Sequence, residues 1–478
     1  MWQICLKHVQ HTLIKTCACT ISTLCEFVAT ATFMFLLLVE QFKALRWNRM
    51  RILVRSYGCS ANQADGAVLA GCLARGGYEL VDSISAADVV VLNTCAVKGP
   101  TENRMIEVLR RVPKEKRLII AGCLPLINNE RLAKEVRFDG IVGPAAGETI
   151  LEVVKSVLNG EKSLAFRGSL DNKPRLTLPR VQPSSVRSVI PICYGCLGSC
   201  AYCCVVHARG RLRSYTIPEI VERAAEDVHK GFRELWLTAQ DAACYGKDLG
   251  TDLAQLLEAV CEINGDFRVR VGMMTPNMAM SIIEDLSHAF RHTKIFKFLH
   301  LPIQSGDNKV LRKMRRFYSV DNFREIVKKF RVSFSESTLA TDVICGFPGE
   351  DREAFERTLN LLREVKPDVV NVSKFFVRPR TRAAQMQEDF VPLSEIKMRS
   401  AEAGALAKKV AHERNKLWIG WKGEILINEV GKISGSWVGR NSGYRPVTVN
   451  SSDDLLGKTL TVRVTEAFPT YLKGEIVG

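Results

Sequence analysis

Cys196-Leu-Gly-Ser-Cys200-Ala-Tyr-Cys203 sets three thiols at intervals of three and then two residues, inside a chain of 478 residues. Thiolates this close in sequence chelate a soft metal centre. Three of them hold three irons of a [4Fe–4S] cluster and leave the fourth iron open to a substrate. Bacterial ferredoxins run their spacings in another order, which argues against a plain electron carrier. Cys193 complicates the pattern, because Cys193-x-x-Cys196 and Cys200-x-x-Cys203 also read as a zinc site. The three residues between those pairs are far fewer than a zinc ribbon's usual spacer.

Downstream of this loop, strand and helix patterns alternate. Strands are predicted at 234–237, 268–272, 296–301, 340–345 and 368–372, with helices at 217–230, 253–263, 281–290, 320–330 and 352–365. With a strand before Cys196 this makes about six βα units, a partial (βα)6 barrel spanning residues 182–413. The reactive face of such a barrel is the carboxyl end of its strands. Gln240 and Asp241 fall just past the second strand and Gln304 just past the fourth, positions that favour contact with substrate or cofactor over plain loop polarity.

Upstream, residues 50–160 alternate near-continuous Val/Ile/Leu strands with helices, the signature of an open parallel α/β sheet covered on both faces. Three of its strands end in a small motif with one cysteine: Ser-Tyr-Gly-Cys59, Leu-Asn-Thr-Cys95 and Ala-Gly-Cys123. Ligand sites in such sheets lie beyond the carboxyl ends of the strands, so these thiols are expected to converge on one rim as a second metal site. Cys72, mid-helix, reads as a small apolar core residue. Residues 161–181 read as a linker. Short strands from 416 to 478 suggest a small β-barrel, with Trp437, Arg440, Tyr444 and Arg445 as residues for stacking on bases or holding phosphates. Because all six cysteines precede it, this tail is expected to be separable.

The chain carries 67 Lys+Arg against 51 Asp+Glu, a net +16. An excess of this size fits a polyanion partner, usually nucleic acid, or a basic surface kept for solubility. Arg209, Arg211, Arg213, Arg312, Lys313, Arg315 and Arg316 are candidate phosphate contacts, each weighed against a solvated helix face. Sixteen cysteines in long regular segments argue for metal or redox use in a reducing compartment, hence a cytoplasmic protein. Residues 1–49 differ from the rest. Three readings stand: a misassigned start, with Met50 opening a good strand; a membrane segment at 21–39, marginal against the roughly 20 apolar residues a span needs; and a signal peptide without an A-x-A-like cleavage site.

The three-cysteine loop, with an aromatic before its last cysteine, resembles the radical S-adenosylmethionine (SAM) superfamily. Combined with Cys59, Cys95 and Cys123, it resembles the methylthiotransferases. Leu237-Thr-Ala-Gln240-Asp241, His300-Leu-Pro-Ile-Gln304-Ser-Gly-Asp307 and Thr341-Asp-Val-Ile-Cys-Gly-Phe-Pro-Gly-Glu350 match as well. Asn93-Thr-Cys95-Ala-Val-Lys-Gly-Pro-Thr-Glu-Asn103 and the segment from Cys203 to Tyr215 resemble the archaeal and eukaryotic branch. One departure is Val377-Arg-Pro-Arg380-Thr381, where the family usually has Gly before the Thr.

The resemblance implies two [4Fe–4S] clusters and SAM. The Cys196/Cys200/Cys203 cluster would bind SAM and cleave it to a 5′-deoxyadenosyl radical. The Cys59/Cys95/Cys123 cluster would carry sulfur that is methylated and joined to C2 of N6-threonylcarbamoyladenosine at position 37 of tRNA. It implies a TRAM-like tail, the tRNA anticodon stem-loop as partner, a flavodoxin- or ferredoxin-like electron donor and a sulfur source. N6-isopentenyladenosine in tRNA or a ribosomal protein are alternative targets. From another class, a non-catalytic iron–sulfur RNA-binding protein is the competing reading.

Overall fold

The computed structural model describes residues 50–165 and 173–477. The extension 1–49 and its proposed membrane segment lie outside these. Among the described residues no helix is long and apolar enough to cross a membrane.

The first sheet has six strands: β1 (Arg51–Ser56), β2 (Glu79–Leu80), β3 (Val89–Thr94), β4 (Arg117–Gly122), β5 (Gly140–Val142) and β6 (Ser163–Ala165). All run parallel in the order β2-β1-β3-β4-β5-β6. Strand β3, Val-Val-Val-Leu-Asn-Thr, is buried along its whole length because helices cover both faces. Val90 and Leu92 pack with Met105, Ile106 and Leu109 on one side; Val89 and Val91 pack with Leu69, Cys72 and Val153 on the other. Cys72 is a core residue, as its setting suggested. Strand β6 carries the sheet into the stretch expected to be linker.

The central unit begins at β7 (Arg187–Pro191). A two-residue pairing of β8 (Cys193–Tyr194) with β9 (Arg213–Ser214) then closes the cysteine loop into a bounded excursion. Five parallel strands follow: β10 (Glu234–Thr238), β11 (Arg268–Val271), β12 (Phe298–His300), β13 (Thr338–Cys345) and β14 (Val369–Lys374). Two triplets, β11-β10-β7 and β12-β13-β14, meet at a parallel bridge between Val269 and Ile295, giving an open six-stranded barrel. Five of its helices start on side-chain caps, at Thr216, Asp252, Asp307, Ser319 and Asp351, with full capping boxes at Thr216/Glu219 and Ser319/Asn322.

Helix Leu393–Lys416 leads to a closed barrel of β15 (Lys422–Val430), β16 (Ser436–Arg440), β17 (Pro446–Asn450), β18 (Thr459–Ala467) and β19 (Leu472–Ile476). The sequence reading missed β16 and β17, which are short, with Gly439 interrupting β16. It also misjudged two residues of this tail. Tyr444 is buried against Phe296 and Phe298 and donates its hydroxyl to Glu234 Oε1 at 2.7 Å. Arg445 is buried on Asp368 and Asn415. Neither faces an RNA.

Asp368 sits fully buried at the junction of the two barrels. It accepts from Arg414 Nε at 2.7 Å, from the Leu339 amide at 2.7 Å and from Arg445. Burial opposes its charge, but Arg445 and Arg414 hold the carboxyl below its ordinary range. The tail is therefore tied to the barrel by buried polar contacts, since truncation would take Tyr444 and Asn428 from Glu234 and Arg445 from Asp368. Asp368→Ala is expected to cost about 3–5 kcal/mol, because it strands the buried Arg445. Denaturant unfolding of the purified protein checks this, and the stabilising contribution is expected to vanish as pH falls through the depressed carboxyl range.

Candidate active site

The carboxyl rims of the first sheet and the central barrel face each other across one cavity of about 510 Å³. Its wall includes Cys59, Cys95, Cys123, Cys196, Cys200 and Cys203, together with Gln240, Asp241 and Gln304. Local structure explains the first three placements. Cys95 follows β3 directly, Cys123 follows β4 directly, and Cys59 immediately precedes helix Ser60–Arg75. Gly122 turns with φ +91, and a Cβ there would collide with the Thr94 carbonyl. Only glycine lets Cys123 approach the Cys95 turn this way. Cys193, by contrast, is buried in the barrel core and absent from the cavity wall, so the zinc reading finds no support.

Burial pushes the Cys123 thiol up to about 12 and raises Cys95 and Cys203 as well. Iron ligation needs thiolates, so an occupying cation must offset that cost. Among the described residues, no group of three or more His, Cys, Asp or Glu could hold a single metal ion. A cubane cluster makes a different demand, because its irons occupy separate corners and its thiolates stand apart. Two orphaned guanidinium nitrogens fit an anionic thiolate-bound cluster. Arg209 Nη1 and Arg316 Nη2 are buried with no hydrogen-bond partner, and both arginines line the cavity. Arg316 also donates from Nη1 to Cys200 Sγ at 3.0 Å. The donor set therefore suits a [4Fe–4S] group better than one ion.

These arginines correct the sequence reading. Arg209 is not a phosphate contact: its Nη2 donates to Asp65 Oδ2 at 2.6 Å, with both side chains nearly inaccessible. Tyr194 donates to the other oxygen of Asp65 at 2.9 Å. Arg316 is buried against Tyr318 and Cys200. Lys313 pairs with Asp389 and Arg213 donates to the carbonyls of Arg211 and Arg209. Arg315 remains on the cavity wall. Sequence showed the charges, but only folding shows which are buried.

The polar residues divide by role. Gln240 Oε1 accepts from the Gly195 amide at 2.8 Å and so braces the start of the cysteine loop. Asp241 is buried and accepts from the Thr275 amide, Thr275 Oγ1, the Ala243 amide and Cys244 Sγ. Gln304 adopts φ 70, in the left-handed region, while its backbone bridges to β13. Sequence reasoning missed His300, Asp342 and Arg270 as cavity residues. His300 Nε2 lies 3.3 Å from Asp342 Oδ2, whose other oxygen accepts from Asn371 at 2.7 Å. It also missed Phe317, whose ring is 70% exposed at the cavity wall. The signals for two of these lay in motifs already noted, His300 at a strand end and Asp342 after Thr341.

The Val377–Thr381 departure has a structural consequence. Arg380 takes φ 59, the left-handed conformation that glycine favours. Its guanidinium donates to the Leu126 carbonyl of the first unit, and its own carbonyl lies 3.0 Å from His207 Nε2. Arg378 donates to the Ala96 carbonyl at 2.6 Å and pairs with buried Glu102. The segment thus docks the barrel onto the first sheet.

Comparison with known proteins defines the class. Residues 190–362 match the Radical SAM superfamily, 51–143 match the uncharacterized protein family UPF0004, and 419–477 match the TRAM domain. The fold is similar to that of the radical S-adenosylmethionine methyltransferase TsrM from Kitasatospora setae, with TM-score 0.50 at 14% identity over 70% of this chain and 75% of that one. This is a radical SAM enzyme with an added α/β unit and a TRAM barrel. The chain is 39% identical, over 90% of its length and 100% of the relative, to a probable threonylcarbamoyladenosine tRNA methylthiotransferase of Pyrococcus horikoshii. The Homo sapiens threonylcarbamoyladenosine tRNA methylthiotransferase is 33% identical over 90% of this chain and 74% of the relative. The chain belongs to the threonylcarbamoyladenosine tRNA methylthiotransferase family.

Hydrogen bonds to ligand sulfurs raise a cluster's reduction potential. Arg316→Leu removes the one reaching Cys200 and is expected to shift the potential of a cluster held by Cys196, Cys200 and Cys203 to more negative values. An EPR-monitored redox titration of the reconstituted variant against wild type measures that shift.

Proposed function

We propose that this enzyme methylthiolates C2 of N6-threonylcarbamoyladenosine at position 37 of tRNA, giving the 2-methylthio derivative. The observation that carries the reading is that six thiols from two units, three from each, line one cavity. In this reading the 50–160 unit holds the sulfur-donating cluster through Cys59, Cys95 and Cys123. The 182–413 unit holds the SAM cluster through Cys196, Cys200 and Cys203, and the 416–478 unit contributes to tRNA binding. When bound, the groups supply one-electron cleavage of SAM and the sulfur atom, chemistry that belongs to cofactors and not to side chains. A flavodoxin- or ferredoxin-like donor and a separate sulfur source complete the requirements.

The chain's own residues do the positioning. Gln240 braces the cysteine loop, Asp241 ties Thr275 to the turn after β10, and Gln304 shapes the wall over β13. These three are the residues we assign to SAM binding. The adenine must leave the anticodon-loop stack to enter. Phe317, exposed at the cavity wall, offers a face on which an adjacent base can stack, with Arg315 nearby for phosphate.

Three experiments test it. Replacing Cys196, Cys200 and Cys203 by Ala is expected to remove about half the bound iron and all SAM cleavage, whereas the Cys59/Cys95/Cys123 triple variant keeps cleavage and loses sulfur insertion. About four irons per chain in reconstituted wild type would sink the two-cluster assignment. Phe317→Ala is expected to weaken tRNA binding by about 1–3 kcal/mol, read as a rise in KM with iron content unchanged. For substrate identity, mass spectrometry of tRNA nucleosides from a deletion strain should show loss of 2-methylthio-threonylcarbamoyladenosine. Intact levels of that nucleoside would contradict the assignment.

A further inference from the structure

Arg270 stands on β11 with its side chain inside the barrel, in register beside Trp236 of β10. Its guanidinium carbon lies 4.5 Å from the Trp236 ring centroid, 4.9 Å from Phe298 and 5.3 Å from Tyr444. Three aromatic faces thus cage the cation, and two of them come from barrel strands while the third comes from the tail. No hydrogen bond from this guanidinium to any described residue is present, and its Nε is buried without a partner. Glu234, the carboxylate whose charge favours that of Arg270, is already engaged by Tyr444, Asn428 and Trp236. Gly272, two residues on and facing the same way, puts no side chain over the fork. Arg270 therefore opens into the cavity that holds all six cysteines.

A planar cation with its donors unspent, walled by aromatic faces, is a receptor for a carboxylate or phosphate. Burial penalises its charge, and the aromatic faces return part of that cost without using a donor. Phosphate belongs to the RNA backbone, which stays outside when a single base enters a pocket. Two carboxylates can enter: that of SAM and that of the threonylcarbamoyl arm. C2 and N6 lie on different edges of the adenine ring. A base that offers C2 to the cysteine-lined rim must send its N6 arm elsewhere in the cavity, and Arg270 lies below that rim, one step down β11 from Gly272.

We propose that Arg270 receives the carboxylate of the threonylcarbamoyl arm and is the residue that selects this base over adenosines with uncharged N6 groups. The inference rests on the substrate reading given above and names its specificity determinant. A site that pairs a substrate's charged group rejects analogues lacking it, because its own buried cation is then left unpaired. An isopentenyl arm is such an analogue.

The test compares wild type, Arg270→Met and Arg270→Lys on threonylcarbamoylated and isopentenylated tRNA, reading methylthio product, KM and kcat. Iron content, SAM affinity by equilibrium dialysis and thermal unfolding are measured on the same preparations. Arg270→Met is expected to lose about 100-fold or more in kcat/KM on threonylcarbamoylated tRNA, mainly through KM. Arg270→Lys recovers part of this, and SAM affinity stays the same. The Met variant should melt no lower than wild type, since it removes an unpaired buried charge. Loss of SAM affinity with KM for tRNA unchanged would assign Arg270 to SAM and overturn the proposal. So would a lower melting point with discrimination between the tRNAs intact, which would make the aromatic cage purely structural. If the Met variant does not fold, Arg270→Lys carries the same comparison. Wild type that modifies only isopentenylated tRNA would defeat the substrate reading itself, a result separate from either outcome for Arg270.

Discussion

The buried ion pair between Asp65 and Arg209 joins the two halves of this site. Asp65 lies on the helix that Cys59 precedes, and Arg209 ends the short helix that follows Cys203. Their 2.6 Å contact, completed by the hydroxyl of Tyr194, ties the rim of one sheet to the cysteine loop of the other. A buried pair of this kind adds little net stability over apolar packing, but removing one partner is costly. Its value here is positional. It fixes one cysteine triad against the other and leaves Arg209 Nη1 free beside them.

The docking around that pair follows the same logic. Each interface between units is built from buried charge and not from an apolar seam alone: Arg378 on Glu102, Arg445 and Arg414 on Asp368, Tyr444 on Glu234. Paired charges demand one geometry, whereas apolar surfaces tolerate sliding. For an enzyme whose two cysteine sets must serve one base, that selectivity matters more than the net stabilisation. The strained Arg380, held in a glycine-like conformation by contacts to Leu126 and His207, belongs to the same set of fasteners.

Much of this was legible in the sequence. Val/Ile/Leu-rich strands gave β1, β3 and β4 nearly to the residue, and the cysteine spacings marked both rims before any fold was known. Short or interrupted elements escaped: β6 after a polar turn, β16, where Gly435 and Gly439 break the alternation, and the short β17. The larger errors concerned arginine. Arg209, Arg316 and Arg445 look like surface cations in one dimension, because charge is written in the sequence and burial is not. Arg270 drew no notice at all, since its strand reads as an ordinary alternation of Arg and Val. Only the register with Trp236 and the arrival of Tyr444 from the distant tail give that alternation its meaning.

The central claim is that both cysteine triads face one reaction chamber. Anomalous diffraction at the iron edge, on crystals of anaerobically reconstituted protein, tests it most directly. The account predicts two iron peaks bordering the same cavity, one on Cys59, Cys95 and Cys123 and the other on Cys196, Cys200 and Cys203. A single peak, or two peaks separated by packed protein with no shared cavity, would contradict it.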